Sequence, residues 1–108
     1  MQKDETVLFE LVKSEILWER RVAVLASYAY TKHKDSSLIY SLAKLLLEDE
    51  YDLMHKAVGW MLREAGKRVD ENELVEFLRE YKLKMPRTML RYAIERLSPE
   101  LKAELMAK

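Results

Sequence analysis

The sequence predicts an all-α fold: an α-α superhelix of paired helices, about seven in number, in one domain spanning residues 1–108. Three observations predict it. Only two glycines and two prolines occur among 108 residues, too few for the many tight turns of a β-sandwich. Apolar residues recur at the three- and four-residue spacing of an amphipathic helix. A weak internal repeat, with a period in the middle thirties, runs through the centre of the chain.

Composition sets the outer bounds. Apolar residues make up 49% and charged residues 35%, as in ordinary soluble globular proteins. Cysteine is absent, which excludes disulfides, thiolate metal sites and a thiol nucleophile. The chain is charged from Lys3 onward and no apolar run approaches the roughly 18 residues a membrane span needs. Neither a signal peptide nor a membrane segment is expected, and the expected location is cytoplasmic.

The helices follow in order. The first runs from about Glu5 to Lys13, with Val7, Leu8, Leu11 and Val12 apolar. The second runs from Leu17 to about His33. Asp35, Ser36 and Ser37 offer caps for a third, Ser37 to Glu48. Asp52 opens and caps a fourth that lasts to about Lys67. Asp70 or Asn72 starts a fifth, ending near Tyr81. Pro86 lies in the first turn of a sixth that reaches Leu97. Ser98 and Pro99 repeat the cap-then-proline signal and open a last helix to Ala107.

The repeat decides how these helices are arranged. An offset of 35 places Arg21 on Lys56, Leu25 on Trp60, Tyr28 on Arg63 and Lys32 on Lys67. An offset of 36 places Leu38, Ile39 and Leu42 on Leu74, Val75 and Leu78. Two helices per period indicate an α-solenoid, and in the absence of the tetratricopeptide spacing of Trp, Gly and Tyr, HEAT-like pairs fit best.

The fourth helix carries the strongest pattern. At about 100° per residue, Met54, Ala57, Val58, Met61, Leu62 and Ala65 gather on a core face. Lys56, Trp60, Arg63 and Lys67 line the opposite side within about 60° of one another. Cations can engage phosphates and an indole can lie against a base or sugar. The same pattern also suits a tryptophan packed on the adjacent repeat with cations around it. The equivalent stripe on the second helix is Arg21, Leu25, Tyr28 and Lys32, which favours a continuous concave surface.

Net charge is zero, which does not by itself suggest a nucleic-acid partner. Between Arg79 and Arg96, however, six basic residues stand against two acidic ones, a local excess that attracts phosphate or simply solvates a helix face. Arg87 and Arg91 within it, at i and i+4, either extend the cationic surface or pair with acidic side chains. Gly59 and Gly66 lie inside a helix and are expected to permit close helix contact. Glu64 is read as the partner of a nearby cation. His33 and His55 fall on separate helices without metal-binding spacing, so no metal and no cofactor are expected.

Three strings then carry a resemblance: LWERRVAVLA at Leu17–Ala26, DLMHKAVGWMLREAGKR at Asp52–Arg68 and MPRTMLRYAIERLSPE at Met85–Glu100. In order and spacing they resemble the C-terminal half of the AlkD-like DNA alkylation repair proteins, HEAT-like bacterial proteins implicated in excising alkylated purines. The resemblance implies that Arg63, the arginine of the GWxLRE motif, lies in a DNA-binding cleft. Trp60, Lys56 and Arg21 are nearby carry-overs, while Lys67, Arg87 and Arg91 come from the charge pattern.

The family's catalytic aspartate segment lies upstream of the matched portion, and nothing before Leu17 resembles it. The expectation is a DNA-binding, non-catalytic portion whose partners are DNA and either a second copy or an N-terminal half. The alternative is a helical-repeat scaffold or interaction fragment, natural or engineered, that self-associates through an N-terminal end rich in Val7, Leu8, Phe9, Leu11 and Val12.

Overall fold

The computed structural model describes residues 5–33 and 35–107. These form α1 (Glu5–Val12), α2 (Leu17–Lys32), α3 (Ser37–Leu46), α4 (Asp52–Arg68), α5 (Glu71–Tyr81), α6 (Arg87–Ala93) and α7 (Pro99–Met106), with a 3₁₀ turn at Lys82–Lys84. No strand occurs among the described residues.

Several helix starts have the chemistry their residues suggest. Asp70 is extended and its carboxylate accepts from the Asn72 amide at 2.9 Å, capping α5. Ser98 Oγ accepts from the Leu101 amide at 3.3 Å, with Pro99 at the first helical position of α7. Such caps contribute about 1 kcal/mol each.

Other starts and ends differ from expectation. Ser36 occupies the N-cap of α3 but makes no cap bond; its hydroxyl donates instead to Glu73 Oε1 on α5 at 2.6 Å. Asp35 Oδ1 takes the local role, accepting from the Ser37 amide and hydroxyl. Asp52 does not cap α4. Tyr51 is the N-cap residue, its own amide held by Asp49 Oδ1 at 3.0 Å. Asp52 pairs with Lys56 at 3.3 Å and adds a favourable charge in the first turn. Pro86 stands one residue earlier than expected, at the N-cap of α6 with ψ 144°. That helix stops at Ala93 rather than Leu97. Beyond it the chain closes short i→i+3 bonds, Glu95 amide to Tyr92 oxygen and Leu97 amide to Ile94 oxygen. These turns still bury Ile94 and Leu97, so the apolar spacing that suggests more helix is satisfied without it.

The helices stack in two rows. In one, α4 packs between α2 and α6; in the other, α1, α3 and α5 back them, α1 on α2 and α3, α3 on α2 and α4, α5 on α4. The molecule measures 38 × 29 × 18 Å, and the thinnest dimension corresponds to two helix layers at about 8–10 Å spacing. The core lies between the rows, where Ile39, Leu42, Met54, Val58, Leu62 and Leu78 are wholly buried. All six residues expected on the core face of α4 are buried. In the outer row, Phe77 of α5 tilts against Tyr40 of α3 at 5.0 Å and Tyr81 at 4.8 Å between ring centroids. The turn before α4 is fastened to α2 by a partly buried ion pair, Arg20 Nε to Asp49 Oδ2 at 2.8 Å.

Both glycines of α4 serve close approach. A Cβ on Gly59 would lie 2.6 Å from the Met89 carbonyl oxygen and 2.7 Å from Tyr92 Cβ, both on α6. One on Gly66 would lie 2.5 Å from Leu74 Cδ2 on α5. At the N-terminal end Val12 is buried and Leu8, Phe9 and Leu11 are half-buried against the core, leaving Val7 exposed. The larger exposed apolar groups of that end stand at the start of α2, at Ile16, Trp18 and Val22.

Candidate nucleic-acid interface

The row of α2, α4 and α6 carries the polar stripes. Between α2 and α4 lies a groove of about 490 Å³ lined by Leu25, Tyr28, Trp60, Arg63, Glu64 and Arg68, with Met61 beneath. Trp60 is 45% exposed here, so the adjacent repeat does not cover it. Two cations lie over its tyrosine: Lys32 Nζ at 5.8 Å and Arg68 Cζ at 5.4 Å from the Tyr28 ring centroid.

Glu64 forms part of this groove and is buried. Arg68 Nε donates to Glu64 Oε1 at 2.8 Å, one helical turn away, and Arg63 Nη2 approaches Glu64 Oε2 at 3.5 Å. Burial alone pushes the Glu64 carboxyl up. The Arg68 hydrogen bond and the charges of Arg68, Lys67 and Arg63 outweigh it and hold the group below the usual carboxylate range. The cation pairing expected of Glu64 is therefore present in the geometry.

On the other side of α4, Arg63 Nη1 donates to Glu95, in the turn after α6. Close helix packing explains why these two meet. Gly59 lets α4 press on α6 at Met89 and Tyr92. One turn further along each chain, Arg63 and Glu95 then face each other. A shallow depression of about 480 Å³ joins Arg63, Glu64, Lys67, Glu95 and Arg96. A neighbouring one is lined by Arg63, Arg91, Tyr92 and Glu95. Arg63 thus borders the groove on the α2 side and the depressions on the α6 side. Its side chain is only 23% exposed, and its Nε is buried without a hydrogen-bond partner.

The sequence-derived candidates separate accordingly. Trp60, Arg63, Lys67 and Arg91 come together around α4. Lys56 is engaged by Asp52 at the start of the helix. Arg21 lies 6.0 Å from the Trp18 ring, its Nε buried and unpartnered. Arg87 is exposed and borders none of these depressions. Arg79, part of the same basic run, is committed to Glu104 of α7 at 2.7 Å.

Four residues of the surface escaped the periodic reading: Arg68, Glu64 as a groove component, Glu95 and Arg96. The Glu64–Arg68 pair has a sequence signal, the i, i+4 spacing. Glu95 has none beyond its distance of 32 residues from Arg63, near the repeat period.

Chemically, the surface offers cations from α4, α6 and the turn after α6, with an open indole and a cation-flanked phenol alongside. These groups suit phosphate contact and the face of a sugar or base. The two carboxylates that meet Arg63, Glu64 and Glu95, are paired to arginines, while Asp70 and Glu71 line a further cavity with Arg63, Lys67 and Arg96. No cluster of three or more His, Cys, Asp or Glu able to hold a metal occurs among the described residues. Among the described residues no helix is long and apolar enough to cross a membrane.

Comparison with curated proteins and with solved structures returns no match. The sequence profile of the family described as DNA alkylation repair enzyme matches residues 1–97, nearly the whole chain, and the protein therefore belongs to the DNA alkylation repair enzyme family.

Proposed function

We propose that the chain is a HEAT-like helical-repeat protein that grips the backbone of duplex DNA through a surface centred on Arg63 and does not itself excise bases. The observation that carries this reading is the position of Arg63. It borders the aromatic groove on one side of α4 and the cationic depressions on the other. Trp60, Lys67 and Arg91 adjoin it, with Lys56, Arg21 and Arg87 at the periphery. Family membership supports DNA as the ligand. The non-catalytic half rests on the carboxylates. Base excision needs one free beside the developing oxocarbenium ion, whereas Glu64, the carboxylate lining the groove beside Trp60, is buried and held by Arg68 and Arg63.

Fluorescence anisotropy of a labelled duplex with an abasic-site mimic tests the proposal, at low and moderate salt. The expected result is salt-sensitive binding that Arg63→Ala weakens across sequences, with the slope of log K against log salt reduced by about one. Absence of binding at low salt would refute the DNA reading. Release of 7-methylguanine by the purified chain would refute the non-catalytic one.

A second reading, self-association, is favoured by one observation: Ile16 and Trp18 are 57% and 65% exposed beside Val22 at the start of α2. A strictly monomeric chain across a concentration series rejects it.

A further inference from the structure

Glu95 occupies the place an anion would take. Its carboxylate accepts from Arg63 Nη1, and it shares adjoining depressions with Lys67 and Arg96 on one side and Arg91 on the other. Four cations therefore surround one acidic side chain that is itself 61% exposed and rooted in a turn rather than a helix. The other acid at Arg63 is different. Glu64 is buried within α4 and bonded at 2.8 Å to Arg68, so it stays in place when Arg63 changes partner. Glu95 can swing into water at little cost, since an exposed carboxylate regains its hydration.

We propose that Glu95 is a displaceable internal occupant of a phosphodiester seat formed by Arg63, Lys67, Arg91 and Arg96. In the free protein the carboxylate satisfies Arg63 and holds it against α6. A DNA phosphate entering the seat displaces the carboxylate and takes its hydrogen bond. The inference rests on the DNA-binding reading and adds to it a built-in competitor that lowers affinity for any single phosphate contact. Such a competitor weakens loose encounters more than full engagement of the surface, where several contacts form together.

The experiment is a double-mutant cycle on the full chain: wild type, Glu95→Gln, Arg63→Ala and the double variant. Each is titrated with the abasic-mimic duplex at low salt, after thermal melts by circular dichroism establish that all four fold. The expected result is that Glu95→Gln tightens binding about two- to fivefold, the scale of one exposed ion pair, and that this gain disappears in the Arg63→Ala background.

Unchanged or weaker binding by Glu95→Gln, when wild type binds and Arg63→Ala weakens it, overturns the latch and leaves the DNA reading standing. An equal gain in the Arg63→Ala background also overturns it, because that outcome is long-range repulsion. No binding by either wild type or Glu95→Gln overturns both, since a released Arg63 that takes no DNA is no phosphate seat.

Discussion

Replacing Gly59 by alanine separates helix propensity from packing, because the two act in opposite directions. In an isolated helix the change is favourable by about 1 kcal/mol. Here the new Cβ would stand 2.6 Å from the Met89 carbonyl oxygen and 2.7 Å from Tyr92 Cβ, about 1 Å inside ordinary contact. Neither obstacle is the tip of a flexible side chain, so α6 has to retreat. Overpacking of this kind costs about 1–3 kcal/mol, and immovable neighbours put Gly59 at the upper end. Subtracting the propensity gain leaves a net loss of about 2 kcal/mol, equivalent to roughly 10 °C in Tm for a domain of this size.

Urea denaturation followed at 222 nm gives the midpoint and slope. Gly66→Ala is the comparison. Its nearest obstacle is the movable Leu74 Cδ2 at 2.5 Å, with Leu74 Cβ at 3.1 Å, and its net effect should stay within about 1 kcal/mol of wild type. A Gly59→Ala protein as stable as wild type, or more so, would refute the close-packing argument and with it the account of how Arg63 reaches Glu95.

Two further substitutions test buried polar groups. Thr31 is 1% exposed and its hydroxyl has no hydrogen-bond partner; Thr31→Val keeps the shape, removes the unsatisfied group and should stabilise by about 1 kcal/mol in the same urea assay. The Glu64 carboxyl is held below the usual range, so its contribution is complete above the unfolded carboxylate pKa, about 4.3, and is lost as pH falls through the lower folded value. Glu64→Gln should therefore be less stable than wild type at pH 7. The difference between the two should narrow below pH 4, and a pH-independent difference would count against the ionised pair.

Much of the fold was legible because its signals are local and periodic. The core face of α4 follows from 3.6-residue spacing, and caps such as Asp70 and Ser98 follow from hydroxyl and carboxylate chemistry at the right positions. The errors have equally local causes. Ile94 and Leu97 keep helical spacing and are buried, so the sequence looks helical to Leu97 although i→i+3 turns place both. Asp52 resembles a cap, but Asp49 fixes the turn and leaves Tyr51 at the cap position. At the candidate site, sequence pattern named Arg63 and Trp60, and Glu64 as the partner of a cation, but not Glu95, which holds Arg63 from the turn after α6. The Arg63–Glu95 contact depends on how closely two helices pack, and periodicity within one helix carries no information about that distance.

The single stripe read along α4 is better understood as two faces that share an arginine. At about 100° per residue, Gly59 and Arg63 lie within about 40° of each other, as do Trp60 and Glu64, while the two pairs are separated by about 100°. The contacts follow that division. Gly59 and Arg63 meet α6 and the turn beyond it; Trp60 and Glu64 border the groove with α2 beside Leu25 and Tyr28. Lys67 continues the first face and Lys56 begins the second. The string GWMLRE thus encodes two interfaces in six residues. Glycine sets the spacing to the next repeat and tryptophan remains open in the groove towards the previous one. Glutamate fixes the arginines from below, and Arg63 lies where both surfaces can reach it.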